Sequence, residues 1–421
     1  MTYLMILGLG LLLAINHLLA RNLLYPPSLF TAVWLVNLLG IALSGDTFYP
    51  ISAETLTVFL VGALAFSAGG LAVFSLNARQ RQGLDHRTPV SPTRRASGRK
   101  LLDFALLGTV IGLPYYWHYI TSGLNTSSLQ FLAALRTRAV EAELTSQHGF
   151  SITNNLVVIS QFLAMAMFYE NDGSLERKWR AYLAIILALI YGGMEGTKGN
   201  AVNLVITLTF ISFMRARRIN YAVLAGTLAV ALLLFAGGLL LINFSGVHTD
   251  ASLATFQLLG RTVQNYWLGG LVAFDRVVQS PTSIQSTQQL GRFFLEVANI
   301  FGARYPIPSI NAEYTSISGW QDTNTYTMYF SYFNGNGWLG IVFGMSVLGG
   351  VLTWIYNFAR LGYPIAIIIY GVSAKAIVLS FHAEHFVLEL YLYLRLMLFL
   401  YLIYYTVSRH PYRRFVLRRV W

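Results

Sequence analysis

The chain has 421 residues, 55% hydrophobic and only 11% charged, with a mean hydropathy of +0.56, a balance that excludes an ordinary water-soluble domain. Its formal net charge is +12, and it has no cysteine, which excludes disulfides, thiolate metal sites and a cysteine nucleophile. The apolar residues come in blocks of about 20, the length a helix needs to cross a hydrocarbon core roughly 30 Å thick, so the expected class is an all-α polytopic membrane protein.

Eleven such blocks are predicted as transmembrane helices: 2–20, 27–45, 53–76, 101–120, 151–169, 181–195, 200–214, 220–243, 338–357, 363–381 and 386–407. The first has no basic residue before it, Arg21 after it and no small-residue cleavage pattern, so it reads as a retained helix with its N-terminus outside. Residues 77–100, rich in Pro, Ser and Arg, then form a basic cytoplasmic loop, and the C-terminus is cytoplasmic. In this orientation 20 of the 29 Lys and Arg residues lie on the cytoplasmic side, where short loops collect them. Seven lie outside: Arg136, Arg138, Lys198, Arg261, Arg276, Arg292 and Arg304. Lys375 and Arg395 fall within spans. The positive charge is therefore accounted for by topology and by attraction to membrane lipids, with no nucleic acid as a partner. The expectation is one membrane-embedded domain over 1–421, with an outer helical loop at 121–150 and a large extracytoplasmic loop at 244–337 before the last three helices.

In the first outer loop, NTSSLQFLAALRTRAVEAELTSQHG has a capping-box pattern at Ser127 and Gln130 and a helix-ending Gly149, which predicts a helix over 128–147. Arg136 and Arg138 point about 200° apart on an ideal helix, so one of them reads as structural. Arg138 either pairs with Glu141 at i+3 or grips an anion. The turn YGGMEGTKGN (191–200) lacks the order of a phosphate loop and faces away from cytoplasmic ATP. Lys198 beside Gly199, at a helix start, suits an anion, while the alternative is a tight hairpin whose lysine reaches lipid phosphates.

The late loop mixes arginines with aromatics in 252–278 and 291–309, as a site for sugar rings and phosphate does, and as ordinary interfacial packing also does. In DTNTYTMYFSYFNGNG, Asp322, Asn324 and Tyr326 offer polar side chains to sugar hydroxyls, or the stretch is a turn before a helix. At the last outer turn, FHAEHFVLELYLYLR puts His382, His385 and Glu389 at i, i+3 and i+7. The first reading of this cluster is a set of polar groups that satisfies Lys375 or Arg395 inside the bundle. The second is general-base chemistry by His385, His382 or Glu384, and metal binding comes third.

The glycine-lysine turn between two spans, Arg138 separated from Gly149 by ten residues, and TNTYTMYFSYFNGNGWLG (323–340) leading into a late span together resemble the Wzy family of O-antigen repeat-unit polymerases. A second Arg–Gly pair, Arg292 and Gly302, has nine intervening residues. The resemblance implies a helical bundle similar to the membrane-embedded GT-C glycosyltransferases, placed in the bacterial inner membrane. It implies a substrate in which an oligosaccharide repeat unit is carried on polyprenyl diphosphate, and a chain-length-regulating co-polymerase as partner. Charge develops on the diphosphate as it leaves, which needs fixed cations. Arg138, Lys198, Arg261 and Arg292 are the candidates, followed by Arg136 and Arg304. No cofactor and no metal is expected. The rival readings are an O-antigen ligase, which uses the same donor, and a transporter or flippase for lipid-linked sugars, which would call for an internal repeat and charges at mid-membrane.

Overall fold

In the computed structural model of the protein, the described residues are 1–81, 96–122, 134, 152–194, 198–244, 253–280, 289–300, 302–305, 314–319 and 321–406. They are almost entirely helical. In chain order the helices are α1 (Thr2–Ala20), α2 (Pro26–Leu43), α3 (Ala53–Arg81), α4 (Ala96–Thr121), α5 (Ile152–Glu170), α6 (Leu175–Met194), α7 (Lys198–Ala216) and α8 (Tyr221–Phe244). There follow α9 (Leu253–Gln279), α10 (Arg292–Ile300), α11 (Tyr329–Phe333), α12 (Gly337–Arg360), α13 (Pro364–Val378) and α14 (Leu390–Tyr401). The antiparallel strands β1 (Thr315–Ser318) and β2 (Gln321–Thr323) form a small hairpin between α10 and α11.

Each of the eleven apolar blocks lies on one of these helices. Among the described residues five helices are long and apolar enough to cross a membrane: α1, α2, α3 over Ala53–Leu76, α7 over Gly199–Ala216, and α12. Asn155–Glu170, Tyr221–Leu234, Pro364–Val378 and Leu390–Tyr404 are apolar but shorter. The described part of 244–337 is more ordered than a loop, since α9 alone runs for 27 residues. Its charges at Arg261, Asp275 and Arg276 break up the apolar run in sequence, yet Leu268, Leu271, Val272, Phe274 and Val278 recur at helical spacing and are buried.

The chain packs as two compact units, one formed by Met1–Asp85, Asp250–Leu361 and Val372–Tyr391, the other by His86–Thr249, Gly362–Gly371 and Leu392–Trp421. In the first, α3 and α12 cross backbone against backbone. A Cβ on Gly69 would lie 1.9 Å from the carbonyl oxygen of Ser346, and one on Gly349 would lie 2.0 Å from that of Phe66. Small residues allow this approach, and the approach supplies the dispersion contacts that hold helices together where lipid removes the hydrophobic drive. Beside the crossing, all five residues of α11 are buried. The Tyr329 ring packs 4.6 Å from Trp34 and 5.4 Å from Phe59, its hydroxyl donates to the Phe59 carbonyl at 3.1 Å, and its edge occupies the space above Gly62. The YFSYF run is thus a core plug.

Polar groups in this unit are matched internally. Asn16 Nδ2 donates to Ser67 Oγ at 3.0 Å and Thr31 Oγ1 at 3.2 Å, tying α1 to α3 and α2. Ser52 Oγ accepts from the Thr55 N–H at 3.2 Å at the start of α3, and buried Asp275 of α9 accepts from the Ser52 hydroxyl at 2.6 Å. In the second unit the Tyr191 hydroxyl donates to the Thr109 carbonyl at 2.8 Å, linking α6 to α4. Arg215 donates to the carbonyls of Phe168 and Asn171 at 2.9 and 2.6 Å, closing the end of α5 with a cation where the helix dipole favours one.

The glycine crossing carries a stability prediction. Gly349→Ala puts a methyl into a backbone oxygen and should cost about 1–3 kcal/mol, as overpacking does, lowering the melting temperature in detergent by several degrees. Gly226→Ala in α8, where nothing lies within 4 Å of the added Cβ, should be neutral or mildly stabilising. Equal melting temperatures for the two variants would contradict the crossing.

Candidate functional site

The site lies in the first unit, in the connection between α13 and α14. The sequence places His382, His385 and Glu389 on one helical face, but no continuous helix runs through 379–389. After Val378 the N–H groups of Leu379, Ser380 and His382 donate to the carbonyls of Lys375, Ile377 and Leu379 at 3.0, 3.2 and 2.9 Å, and the chain then leaves the helix. Glu384 braces the stretch ahead of the next one. Its Oε1 accepts from the Phe386 N–H at 3.0 Å and its Oε2 from the Leu388 N–H at 2.8 Å, which satisfies donors ahead of α14 that have no partner within the helix. The Tyr332 hydroxyl of α11 adds a longer bond at 3.4 Å. Burial raises the Glu384 pKa, and the backbone donors and His385 pull against it. With both oxygens on backbone N–H groups, Glu384 braces the connection and is less available as a base than the two histidines.

Glu389 joins two side chains. Lys375 Nζ, on a side chain only 4% exposed, donates to Glu389 Oε2 at 2.9 Å, and His385 Nδ1 lies 2.7 Å from Oε1 of the same carboxylate. The Lys375 ammonium is thus the counter-ion of the Glu389 carboxylate. An ionised carboxylate only accepts, so Nδ1 carries a proton, and in the neutral ring Nε2 is a bare acceptor. That Nε2 is buried and has no hydrogen-bond partner among the described residues. Ser380 Oγ is in the same condition, and so is Thr327 Oγ1, whose neighbour Met328 donates its N–H to the Ser380 carbonyl at 2.8 Å.

The His382 ring lies nearly parallel to Tyr266 of α9, at 6.3 Å and 7°, and to His385, at 6.1 Å and 13°. Burial, and then the neighbouring His385, lower its pKa to about 4, so it is neutral and a weak base near pH 7. α9 approaches this connection closely because Gly270 has no side chain: a Cβ there would be 2.8 Å from the Phe381 carbonyl oxygen. Of the two cations that the cluster was expected to satisfy, Lys375 is the one it pairs with, and Arg395 donates to Asn155 Oδ1.

The remaining predicted site residues are spread more widely. Arg261 is exposed on α9, one turn before Asn265, which donates to the Asp322 carbonyl at 3.5 Å. Asp322 is exposed and Asn324 half-buried. Tyr326 is buried, with its hydroxyl bonded to Thr315 and its ring stacked on Phe330 at 4.7 Å, so it braces the hairpin. Arg292 is half-buried at the start of α10 and Arg304 is exposed. Lys198 begins α7. Arg136 and Arg138, with the predicted helix over 128–147, lie outside the described residues. Among the described residues, no three His, Asp or Glu side chains stand together as metal ligands. Sequence reading missed the second-unit position of Arg395 and the stacking of Tyr266 on His382; the latter had no local signal, since the two rings are 116 residues apart and meet only through the Gly270 approach. No family model, curated protein or solved structure matches the chain.

The low His382 pKa predicts a pH dependence of stability. Folding takes this ring from an ordinary 6.5 to about 4, so the unfolded chain binds its proton first. Its contribution is fully present above pH 6.5 and is lost as pH falls towards 4. His382→Phe keeps the stack without the titration. The difference in melting temperature between the two proteins should therefore grow in favour of the variant from pH 6.5 to 4.5, and a pH-independent difference would contradict the assignment.

Proposed function

We propose that the protein is an oligosaccharide repeat-unit polymerase of the bacterial inner membrane. In this reading all eleven apolar blocks cross the bilayer, the N-terminus is outside, the C-terminus is cytoplasmic, and 244–337 and the 379–389 connection face outward. The growing glycan is transferred from polyprenyl diphosphate to a new lipid-linked repeat unit. The observation that carries the reading is His385: its Nδ1 is held by Glu389 at 2.7 Å and its Nε2 is buried without a partner among the described residues, in a break between two apolar helices. Ionisable residues packed among apolar helices are costly and mark a functional site by default.

The chemistry follows from that nitrogen. A sugar hydroxyl of the incoming unit attacks the anomeric carbon of the growing chain, and its proton passes to His385 Nε2. The bond from that carbon to the diphosphate oxygen breaks, and the polyprenyl diphosphate leaves with the electron pair. Cations then stabilise the developing charge in a site that excludes water. Arg261 is the favoured one, because α9 carries it on the same helix that lays Tyr266 against His382. Arg138, Lys198, Arg292, Arg136 and Arg304 are candidates from charge and predicted side alone. Asp322 and Asn324 remain candidates for sugar hydroxyls.

Reconstitution tests the reading. Purified protein in liposomes, given a lipid-linked repeat unit and no nucleotide, should lengthen the glycan, and should do so equally well in EDTA because cationic side chains meet the diphosphate. Transfer only to lipid A core would make it a ligase, and movement of the lipid without bond formation would make it a transporter. Either result, or loss of elongation in EDTA restored by one divalent ion, contradicts the proposal in that respect.

A further inference from the structure

We infer that Lys375 and Glu389 are positioning residues for the base: Lys375 locks the Glu389 carboxylate, and Glu389 holds the His385 ring with Nε2 as the proton acceptor. This rests on the role given to His385 above, and it assigns work to two residues that the reaction itself does not touch.

The need for such a pair comes from imidazole chemistry. A neutral imidazole in water prefers its proton on Nε2, which would present an N–H where the reaction requires a lone pair. Only an acceptor at Nδ1 reverses the preference. Glu389 Oε1, 2.7 Å from Nδ1, is that acceptor, and it also stabilises the ring once Nε2 has taken a proton. A half-buried carboxylate with one partner is free to swing or to take up a proton. Lys375, at 2.9 Å from Oε2, fixes the second oxygen and keeps the group ionised. The other ionisable groups facing His385 do not compete for Nδ1. The His382 ring stacks on its face at 6.1 Å, and the Glu384 oxygens accept the Phe386 and Leu388 N–H groups.

The plainer account is that Lys375, beside buried Ser373, Ala374 and Ala376 in α13, simply needs a counter-ion. That account explains the pair. It gives no reason for the second carboxylate oxygen to meet an imidazole whose other nitrogen has no partner among the described residues.

Removing one member of a buried pair leaves an uncompensated charge, so Lys375→Met alone is expected to melt early. The decisive protein is the neutral double variant Lys375→Met/Glu389→Gln, compared with Glu389→Gln, Lys375→Met and wild type as full chains in liposomes. The double variant should regain the melting temperature that Lys375→Met loses, yet elongation should stay down on the order of a hundredfold, as when other imidazole-orienting partners are removed. Recovery of elongation together with stability would reduce the pair to a structural one and overturn the proposal. Nitrogen-15 solid-state spectra of the histidine-labelled chain, with the His385 signal assigned by its loss in His385→Asn, give a readout independent of any reaction. Wild type should carry the proton on Nδ1, and Glu389→Gln should shift it to Nε2, because an amide can donate to Nδ1. A wild-type His385 protonated on Nε2 overturns the positioning role whatever the activity. If the predicted tautomers appear and wild type forms no glycan, the positioning stands and the polymerase reading falls.

Discussion

Inside a bilayer no water is present to pair with a polar group, so each backbone donor, carbonyl and charge must find its partner within the chain. That constraint explains the all-helical fold, and it explains why the few polar side chains on apolar helices are tied so closely. Asn16 reaches two hydroxyls on neighbouring helices, and Asp275 holds the cap of α3. Where the helical ladder is interrupted between α13 and α14, Glu384 takes over the donors that the break leaves open. A break of this kind is expensive.

What the break brings together is a cluster of side chains around His385. Five ionisable groups meet there, and their roles separate by geometry: Glu384 holds backbone N–H groups, His382 stacks as a neutral ring, Lys375 and Glu389 pair, and His385 Nε2 has no partner among the described residues. Burial makes the Glu384 carboxyl harder to ionise, while the Lys375 ammonium at 2.9 Å holds Glu389 as a carboxylate. Neighbouring carboxylates five residues apart thus do different work.

The sequence made the helices legible because apolar length is a strong signal: each of the eleven blocks lies on a helix, with ends within a few residues. It did not reveal α9 as a long helix, because Arg261, Asp275 and Arg276 interrupt the apolar run while its buried face is one-sided. Nor did it identify α11, since the stretch ahead of the Asn-Gly pairs reads as a sugar-binding segment or a turn before a helix; the close approach at Gly62 places Tyr329 in the core. At the site, the spacing of His382, His385 and Glu389 was visible and its cause was misread. The contact between His385 and Glu389 is made across a turn, and the partner choice of Lys375 over Arg395 depends on packing that no local pattern records.

The central claim is that His385 Nε2 accepts the proton of the attacking hydroxyl, and chemical rescue tests it most directly. His385→Ala, reconstituted in liposomes with a lipid-linked repeat unit, should keep its membrane insertion and lose elongation by about a hundredfold to ten-thousandfold, the usual contribution of a general base. Added imidazole should restore elongation in proportion to its concentration, and only in its neutral form. Elongation by His385→Ala at the wild-type rate would contradict the account.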